Sequence, residues 1–288
     1  MSRITIAGAG IFGLWQALFL ARAGHEVRVV ETSTEPFANA ASRYAGAMIA
    51  PECEAESAPD VVRDLGRDAL LLWKQTYPGL VENGTLVLAA ARDQSELDRF
   101  AAATHGHINC DAGRIAELEP ALGRRHARAL YFESEAHMSA PDALQHLFAA
   151  ARQAGARFSF DTAHCGTVAA NDDCDWLIDC RGLGASDDVS TLRGVRGERL
   201  LVALPDFQLQ RTIRFVHPRQ PLYVVPWPCA RFLIGATVIE SDDPSPISVR
   251  SALELLGLAY TLHPAFGEAR ILEMSAGVRP CLPDNVPR

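Results

Sequence analysis

The segment RITIAGAGIFG, residues 3–13, decides the fold of this chain. Its first five residues are predicted to form a short buried strand, and the run LWQALFLARAG that begins after Gly13 has the apolar pattern of a helix. A second strand, EVRVVE, ends at Glu31. The glycines Gly8, Gly10 and Gly13 follow the spacing G-x-G-x-x-G, which between a strand and a helix is typical of dinucleotide-binding folds. A parallel sheet with flanking helices is therefore expected at this end of the chain.

Each position of this motif has a physical task. Gly8 allows the tight turn out of the strand, Gly10 lets a pyrophosphate approach the backbone, and Gly13 lets the helix pack close to the sheet. The start of the helix presents N–H groups and the positive end of its dipole to phosphates. Glu31 lies 18 residues after Gly13, where its carboxylate can accept both ribose hydroxyls and would repel the 2′-phosphate of NADP. The motif alone does not distinguish FAD from NAD.

The segment AASRYAGAMIAP, residues 40–51, favours FAD. Its small residues would let a flat ring system lie against the backbone, and Ser42 is placed to cap phosphates. With this segment the sequence resembles the D-amino-acid oxidase superfamily of FAD enzymes, and within it the glycine oxidase (ThiO) branch. The blocks LRGVRGERLLV, HPRQPLYVVP, GATVIESD and AGVRPCLPDN resemble that branch in the expected order, so the resemblance covers essentially the whole chain.

The element pattern and the resemblance together predict an α/β fold, α+β overall. A Rossmann-like FAD-binding domain with a parallel sheet is interleaved with a substrate domain built on an antiparallel sheet. The FAD-binding domain is expected at 1–80, 138–193 and 270–288, and the substrate-binding domain at 81–137 and 194–269. Helices are predicted at 57–76, 93–104, 141–154 and 247–262. A buried strand followed by a glycine turn is predicted at 176–185.

The resemblance implies roles for single residues. Arg279 would grip the α-carboxylate of the substrate, because a guanidinium matches a carboxylate in a bidentate pair. Tyr223 would make a second carboxylate contact, although a strand tyrosine is also common in a sheet face. Met48 would be the apolar residue near the flavin, although packing explains it equally well. Neither His137 nor His217 is assigned as a general base. The residues predicted to bind FAD are Gly8, Gly10, Ile11, Phe12, Gly13, Glu31, Thr32, Ala41, Ser42, Gly46, Ala47, Met48, His164 and Gly182.

The sequence departs from the family pattern in three places. Trp227 stands where arginine is more common, and Val238 replaces a common methionine, so the pocket is expected to differ and strict glycine selectivity does not follow. The chain stops at Arg288, before a further family segment whose helix start lies against the flavin. We expect a chain that ends there to hold FAD poorly and to turn over slowly.

Composition excludes several classes of protein. There are 27 basic and 35 acidic residues, a formal charge of −8, which argues against a partner that is nucleic acid or an anionic membrane. The 7 cysteines include no C-x-x-C pair, so neither a disulfide framework nor a structural zinc site is expected and a reducing cytoplasm is the simplest location. The tract His105–Cys110 favours a loop over a metal site, and no metal is predicted.

The uncharged run Ile4–Ala21 resembles a signal peptide, but its spaced glycines favour a strand, turn and helix.

The leading hypothesis is FAD-dependent oxidation of glycine or a related small amine or amino acid. The resemblance implies an imine that yields glyoxylate and ammonia, with molecular oxygen reduced to hydrogen peroxide, and a place in thiamine (thiazole) biosynthesis. Three alternatives stay open: a dehydrogenase of the same superfamily with another electron acceptor, an NAD-linked dehydrogenase sharing only the first motif, and a non-catalytic flavin-binding protein. The oligomeric state also stays open.

Overall fold

The computed structural model describes residues 1–162 and 174–286, and the chain divides into two compact units. The first unit consists of Met1–Ala45, Ala140–Val195 and Gly277–Pro283, and the second of Gly46–Ser139, Arg196–Ala276 and Asp284–Arg288. Residues 46–80 were expected in the FAD-binding domain, whereas this division groups them with the second unit. A physical reason is that Met48–Ile49 forms a strand pair with Ala136–His137, which belongs to that unit. The functional roles of the two units stay predictions.

The helices are α1 (Ile11–Arg22), α2 (Pro51–Glu54), α3 (Asp60–Thr76), α4 (Gln94–Ala103), α5 (Ala112–Leu118), α6 (Ala140–Gln153) and α7 (Val249–Leu262). The strands are β1 (Arg3–Ala7), β2 (Glu26–Val30), β3 (Met48–Ile49), β4 (Thr85–Ala89), β5 (Ile108–Asp111), β6 (Arg128–Phe132), β7 (Ala136–His137), β8 (Arg157–Ser159), β9 (Trp176–Asp179), β10 (Arg193–Ala203), β11 (Thr212–Val216), β12 (Leu222–Trp227), β13 (Arg231–Gly235), β14 (Ile239–Glu240) and β15 (Arg270–Cys281).

The first unit is built on a parallel sheet, as predicted. Within the described residues its strand order is β8-β2-β1-β9, and each neighbouring pair is parallel. Helices α1 and α6 pack against each other. The strand predicted within 176–185 is present at Trp176–Asp179, but the prediction that it is buried is wrong. Among the described strands β9 lies at the edge of this sheet, and Trp176 is 67% exposed.

The second unit is built on a larger sheet with the order β14-β10-β13-β12-β11-β4-β6-β5, to which β15 adds by pairing with β10. The predicted antiparallel arrangement is confirmed for the strand pairs whose register is described, except that β11 and β4 run parallel. Side chains alternate between the two faces of this sheet. One face packs against α5 and α7, while the other carries Val87, Leu130 and Val225 towards α2, α4 and the β3–β7 strand pair.

The predicted helices are present with shifted ends. Helix α3 begins at Asp60 rather than residue 57, because Pro59 is extended and supplies the residue before the first turn. Of its apolar residues only Trp73 is fully buried, while Val61, Leu65 and Leu71 are exposed. In the described part of the chain, no helix is both long and apolar enough to cross a membrane.

Candidate active site

The turn between β1 and α1 requires glycine at two positions. Gly8 has φ +100°, and a Cβ atom there would lie 2.4 Å from the carbonyl oxygen of Cys180. A Cβ atom on Gly13 would lie 1.9 Å from the carbonyl oxygen of Gly8. Both distances are far below van der Waals contact, so no larger residue fits without movement of the backbone. The two glycines therefore keep strand, turn and helix as close as the dinucleotide motif predicts.

The N-terminus of α1 is placed to receive an anion. The helix begins at Ile11, and the extended Gly10 before it has no side chain to cap the helix. Its first turn contains no acidic residue. The backbone N–H of Ile11 donates to Ser42 Oγ over 3.3 Å, so the predicted phosphate-capping residue is held at the start of the helix. This arrangement fits the pyrophosphate of a dinucleotide, which would meet N–H groups at the positive end of the helix dipole.

Glu31 follows directly after β2 and is only 8% exposed. Its Oε2 atom accepts the Ala9 N–H over 2.8 Å, and its Oε1 atom accepts the Ser33 N–H and the Thr32 hydroxyl, each over 3.1 Å. Burial by itself raises the pKa of this carboxyl, but the hydrogen bonds from Ala9, Ser33 and Thr32 outweigh that effect, so its pKa is lowered. Glu31 is therefore an ionised acceptor beside the glycine turn, as recognition of ribose hydroxyls requires.

The predicted nucleotide residues of the first unit follow the carboxyl ends of its parallel strands. Gly8 follows β1 and Glu31 follows β2, while Gly182 comes shortly after β9. This is the edge at which open α/β sheets bind their ligands. Gly182 has φ +60° and lies near Pro280. His164 lies outside the described residues.

The remaining predicted residues of the first unit differ in exposure. Ile11 is half-buried, whereas the Phe12 side chain is 63% exposed. Ala41 and Ser42 lie in a short 3-10 turn, Ala41–Tyr44, and are both half-buried. The Phe12 side chain therefore packs little within this unit, and its role towards a cofactor stays a prediction.

Tyr223 is packed between two glycines of the second unit. A Cβ atom on Gly46 would lie 2.7 Å from Cε2 of the Tyr223 ring, and one on Gly235 would lie 2.7 Å from its hydroxyl oxygen. Tyr223 and Gly235 are directly opposed on β12 and β13, so the missing side chain at 235 leaves room for the phenol. The absence of side chains at both positions thus decides where the hydroxyl lies.

Met48 packs against the same apolar cluster as Tyr223. The cluster consists of Leu201, Val225, Trp227 and Leu233. Before Met48, Ala47 has φ +52°, an uncommon backbone conformation for a residue with a side chain. The predicted residues Gly46, Ala47, Met48 and Tyr223 therefore form one group within the second unit.

Arg279 lies near the end of β15, in the part of that strand that belongs to the first unit. Its side chain is exposed, and among the described residues it forms no ion pair with an acidic side chain. The strand passes close to Tyr44, since a Cβ atom on Gly277 would lie 2.8 Å from Tyr44 Cβ. A guanidinium without an internal carboxylate partner is suited to binding an external one.

A buried arginine lies near Trp227, and no local sequence pattern indicates it. Arg199 on β10 is 2% exposed, its Nη2 donates to Glu273 over 3.0 Å, and its guanidinium carbon lies 5.8 Å from the centre of the Trp227 ring. Trp227, which departs from the family pattern expected from the sequence, therefore lies near a guanidinium that comes from β10, two strands away in the sheet. Only the pairing of β10, β13 and β12 could have revealed this. Val238, the other departure, is 69% exposed.

Comparison with known proteins identifies relatives over the whole chain. Residues 3–288 match the family described as FAD dependent oxidoreductase (DAO). A protein of Rhizobium etli, named as the thiamine biosynthesis oxidoreductase ThiO, is 47% identical over 288 residues, covering 99% of this chain and 86% of that protein. A glycine oxidase of Geobacillus kaustophilus is 29% identical over 320 residues, covering 99% of this chain and 82% of that protein.

Solved structures share the fold. The crystal structure of glycine oxidase from Geobacillus kaustophilus matches with a TM-score of 0.79 at 24% identity, covering 100% of this chain and 85% of that chain. At this identity the likeness establishes the architecture, a parallel sheet together with a separate, mainly antiparallel one.

Proposed function

The chain belongs to the FAD dependent oxidoreductase (DAO) family, as its motifs predicted, and on that premise we propose that it oxidises glycine or a closely related small amine or amino acid. The product would be the imine, which water converts to glyoxylate and ammonia, and molecular oxygen would be reduced to hydrogen peroxide. The observation that carries the proposal is the 47% identity, over 99% of this chain, to a protein named ThiO. That name also supports a role in thiamine biosynthesis, and the glycine oxidase relative supports glycine as the substrate.

The first unit would hold the cofactor. The glycine turn at Gly8 and the N-terminus of α1 would receive the pyrophosphate, and the ionised Glu31 would accept the ribose hydroxyls. Bound FAD would supply a two-electron acceptor, which amino-acid side chains cannot provide. Ser42 would hold the start of α1 in place through its bond to Ile11.

Arg279 and Tyr223 would recognise the substrate. Arg279 would pair with the carboxylate through its planar guanidinium, and the Tyr223 hydroxyl would donate a second hydrogen bond. The Tyr223 ring lies close to the backbone at Gly46 and Gly235, and this close packing would help to preorganise the hydroxyl. Met48, packed on the same apolar group, would exclude water from the reacting Cα–H bond.

A steady-state assay tests this proposal. The FAD-loaded protein is offered glycine, sarcosine and a simple primary amine, and peroxide release and oxygen uptake are followed together. Oxidation of glycine with one peroxide formed for each oxygen consumed supports the oxidase. Turnover only with an artificial electron acceptor would replace it with a dehydrogenase of the same family. Absence of turnover with every amine would contradict the proposal.

A further inference from the structure

Several buried polar side-chain atoms of the second unit lack a hydrogen-bond partner within the described residues, and four of them lie on neighbouring segments. These four are Thr85 Oγ1, Glu135 Oε2, His137 Nδ1 and Thr212 Oγ1. The four residues are 1%, 1%, 2% and 0% exposed. Buried polar groups are almost always paired, so this set requires an occupant that supplies hydrogen bonds.

The four residues belong to neighbouring segments of one region. Thr85 and Thr212 are direct partners in the parallel pair of β4 and β11. The Thr85 hydroxyl is close enough to lower the pKa of the Glu135 carboxyl, and the Gly84 N–H donates to the Glu135 carbonyl oxygen over 2.9 Å. His137 follows two residues after Glu135 on the same extended segment. The four residues therefore lie on adjoining segments of the second unit, and we call them the buried polar cluster.

Water is the ligand that fits this cluster. Buried waters typically make about three hydrogen bonds to polar groups that would otherwise be unsatisfied. The hydroxyls and the imidazole can each donate or accept, as water requires. A metal ion fits poorly, since among the described residues no group of three or more histidine, cysteine or acidic side chains is arranged to hold one.

Glu135 is the member of the cluster that changes charge near neutral pH. Burial raises the pKa of its carboxyl to about 7, although Thr85, Cys53 and Arg214 act in the opposite direction. Its Oε1 atom accepts the backbone N–H of Cys53 over 2.7 Å. Arg214 is bound in turn to Glu54 over 2.8 Å, so its charge is shared between the two carboxylates.

His137 stays uncharged over the same range. Burial lowers the pKa of its imidazole to about 4, and the nearby Arg211 guanidinium acts in the same direction. Burial also raises the pKa of the Cys53 thiol well above its usual range, so that thiol keeps its proton. The cluster therefore has one group, Glu135, that can take up and release a proton near pH 7.

The cluster adjoins the residues assigned to substrate and flavin. His137 is opposed to Met48 on β7 and β3. The Met138 N–H donates to the Ala47 carbonyl oxygen over 3.0 Å, so this is a non-hydrogen-bonded pair, the type in which side chains lie closest. On the sheet below, Arg214 lies two residues after Thr212 on the same face and is opposed to Tyr223.

We propose that Thr85, Thr212, Glu135 and His137 form an internal water-binding site beneath the Met48 strand, and that Glu135 accepts through this water the proton that an ammonium substrate must lose. This inference rests on the proposed function. An N–H bond of the ammonium group breaks, its electron pair stays on nitrogen, and an O–H bond forms on the Glu135 carboxyl. Glu135 returns the proton to solvent before the next turnover. The neutral amine then carries the lone pair that imine formation needs.

The test compares the parent with Glu135→Gln, which keeps the shape and removes the charge. The rate of anaerobic flavin reduction by saturating glycine is measured between about pH 6 and 9. We expect the parent rate to rise with pH as Glu135 ionises, and the variant to lose this rise and be at least about tenfold slower above pH 8. Thr212→Val, which removes one water contact, should fall between them. Thr104→Val is the matched control, because its buried hydroxyl donates to Phe100 outside the cluster.

A second readout does not depend on turnover. The infrared carbonyl band of a protonated carboxyl should disappear as pH rises through about 7 in the parent and be missing in Glu135→Gln. An unchanged pH profile in Glu135→Gln, in a protein that is reduced by glycine, would overturn the proton-accepting role. An infrared band that is the same in parent and variant would overturn the site itself. A parent that no amine reduces refutes the proposed function and the proton-accepting role with it, and the infrared titration then decides whether the site exists.

Discussion

The carboxylate of Glu31 accepts the backbone N–H of Ala9 over 2.8 Å, and so joins the end of β2 to the turn after β1. Because Ala9 lies between Gly8 and Gly10, this bond fixes the middle of the glycine motif. The same carboxylate is ionised and surrounded by donors from Ser33 and Thr32. The Glu31 side chain therefore holds the turn through a hydrogen bond and also provides a negative charge where the ribose of a cofactor is expected to bind.

Glu31→Gln should weaken FAD binding. The amide cannot offer two anionic oxygens, and charge-assisted hydrogen bonds are worth about 1.5–3 kcal/mol, roughly ten- to a hundredfold in Kd. Titration of the apoprotein with FAD, followed by flavin fluorescence, measures the change. Glu26→Gln is the control, since Glu26 begins the strand that Glu31 follows, is half-buried and is paired with Arg157. Equal Kd values for Glu31→Gln and the parent would remove Glu31 from the site.

Gly13→Ala should destabilise the first unit by at least about 2 kcal/mol, because its Cβ would collide with the Gly8 carbonyl oxygen. Gly257→Ala is the matched control. Gly257 is also helical, but a Cβ there meets nothing within 4 Å, so alanine should stabilise α7 by up to about 1 kcal/mol. Urea unfolding of the three proteins gives the comparison. Similar midpoints for both variants would show that the strand–helix contact at Gly13 is not tight.

Arg279→Ala should lower kcat/KM for glycine by at least about a hundredfold while FAD binding is unchanged. A carboxylate entering a partly desolvated site needs a cation, and a misplacement of about 1 Å can cost a hundredfold. Arg279→Lys should recover part of the loss, because a point charge lacks the planar fork. Arg270→Ala, at the exposed start of the same strand, is the control. A primary amine without a carboxylate should be oxidised equally by parent and variant, and an equal loss for both substrates would argue against carboxylate recognition.

Glu135 should make the protein less stable as pH rises. The folded state holds the Glu135 proton up to about pH 7, whereas the unfolded state loses it near pH 4.5, so the free energy of unfolding falls between these values. The fall amounts to about 3 kcal/mol. Glu135→Gln should abolish it, and the difference between parent and variant should be flat above pH 7. The opposite slope from His137 is common to both proteins and cancels in that difference. Parallel stability curves would show that Glu135 does not titrate as its burial implies.

The local motifs could be predicted from the sequence because each acts within a few residues. The strand, glycine turn and helix at residues 3–22 and the acidic end of β2 follow from spacing alone. Tyr223 and Met48 were singled out by resemblance, and the structure shows that both pack on the same apolar group. Their roles towards the substrate stay predictions.

Other features depend on contacts between distant segments and left no local signal. Thr85 and Thr212 meet because β4 and β11 are neighbours in the sheet, although the two residues are far apart in the sequence. Arg199 reaches Trp227 across the intervening strand β13. The sequence predicts that Trp176 is buried, because its strand is apolar. Its exposure follows from the edge position of that strand among the described strands, which the sequence does not reveal.

Anaerobic mixing of the FAD-loaded protein with glycine tests the central claim most directly. The flavin absorbance is followed by stopped flow, with sarcosine and a simple amine in parallel. If the chain is an amine oxidase, its flavin bleaches with a rate that saturates with substrate, and admission of oxygen restores the colour with release of hydrogen peroxide. A bound flavin that keeps its oxidised spectrum with every amine would contradict the account.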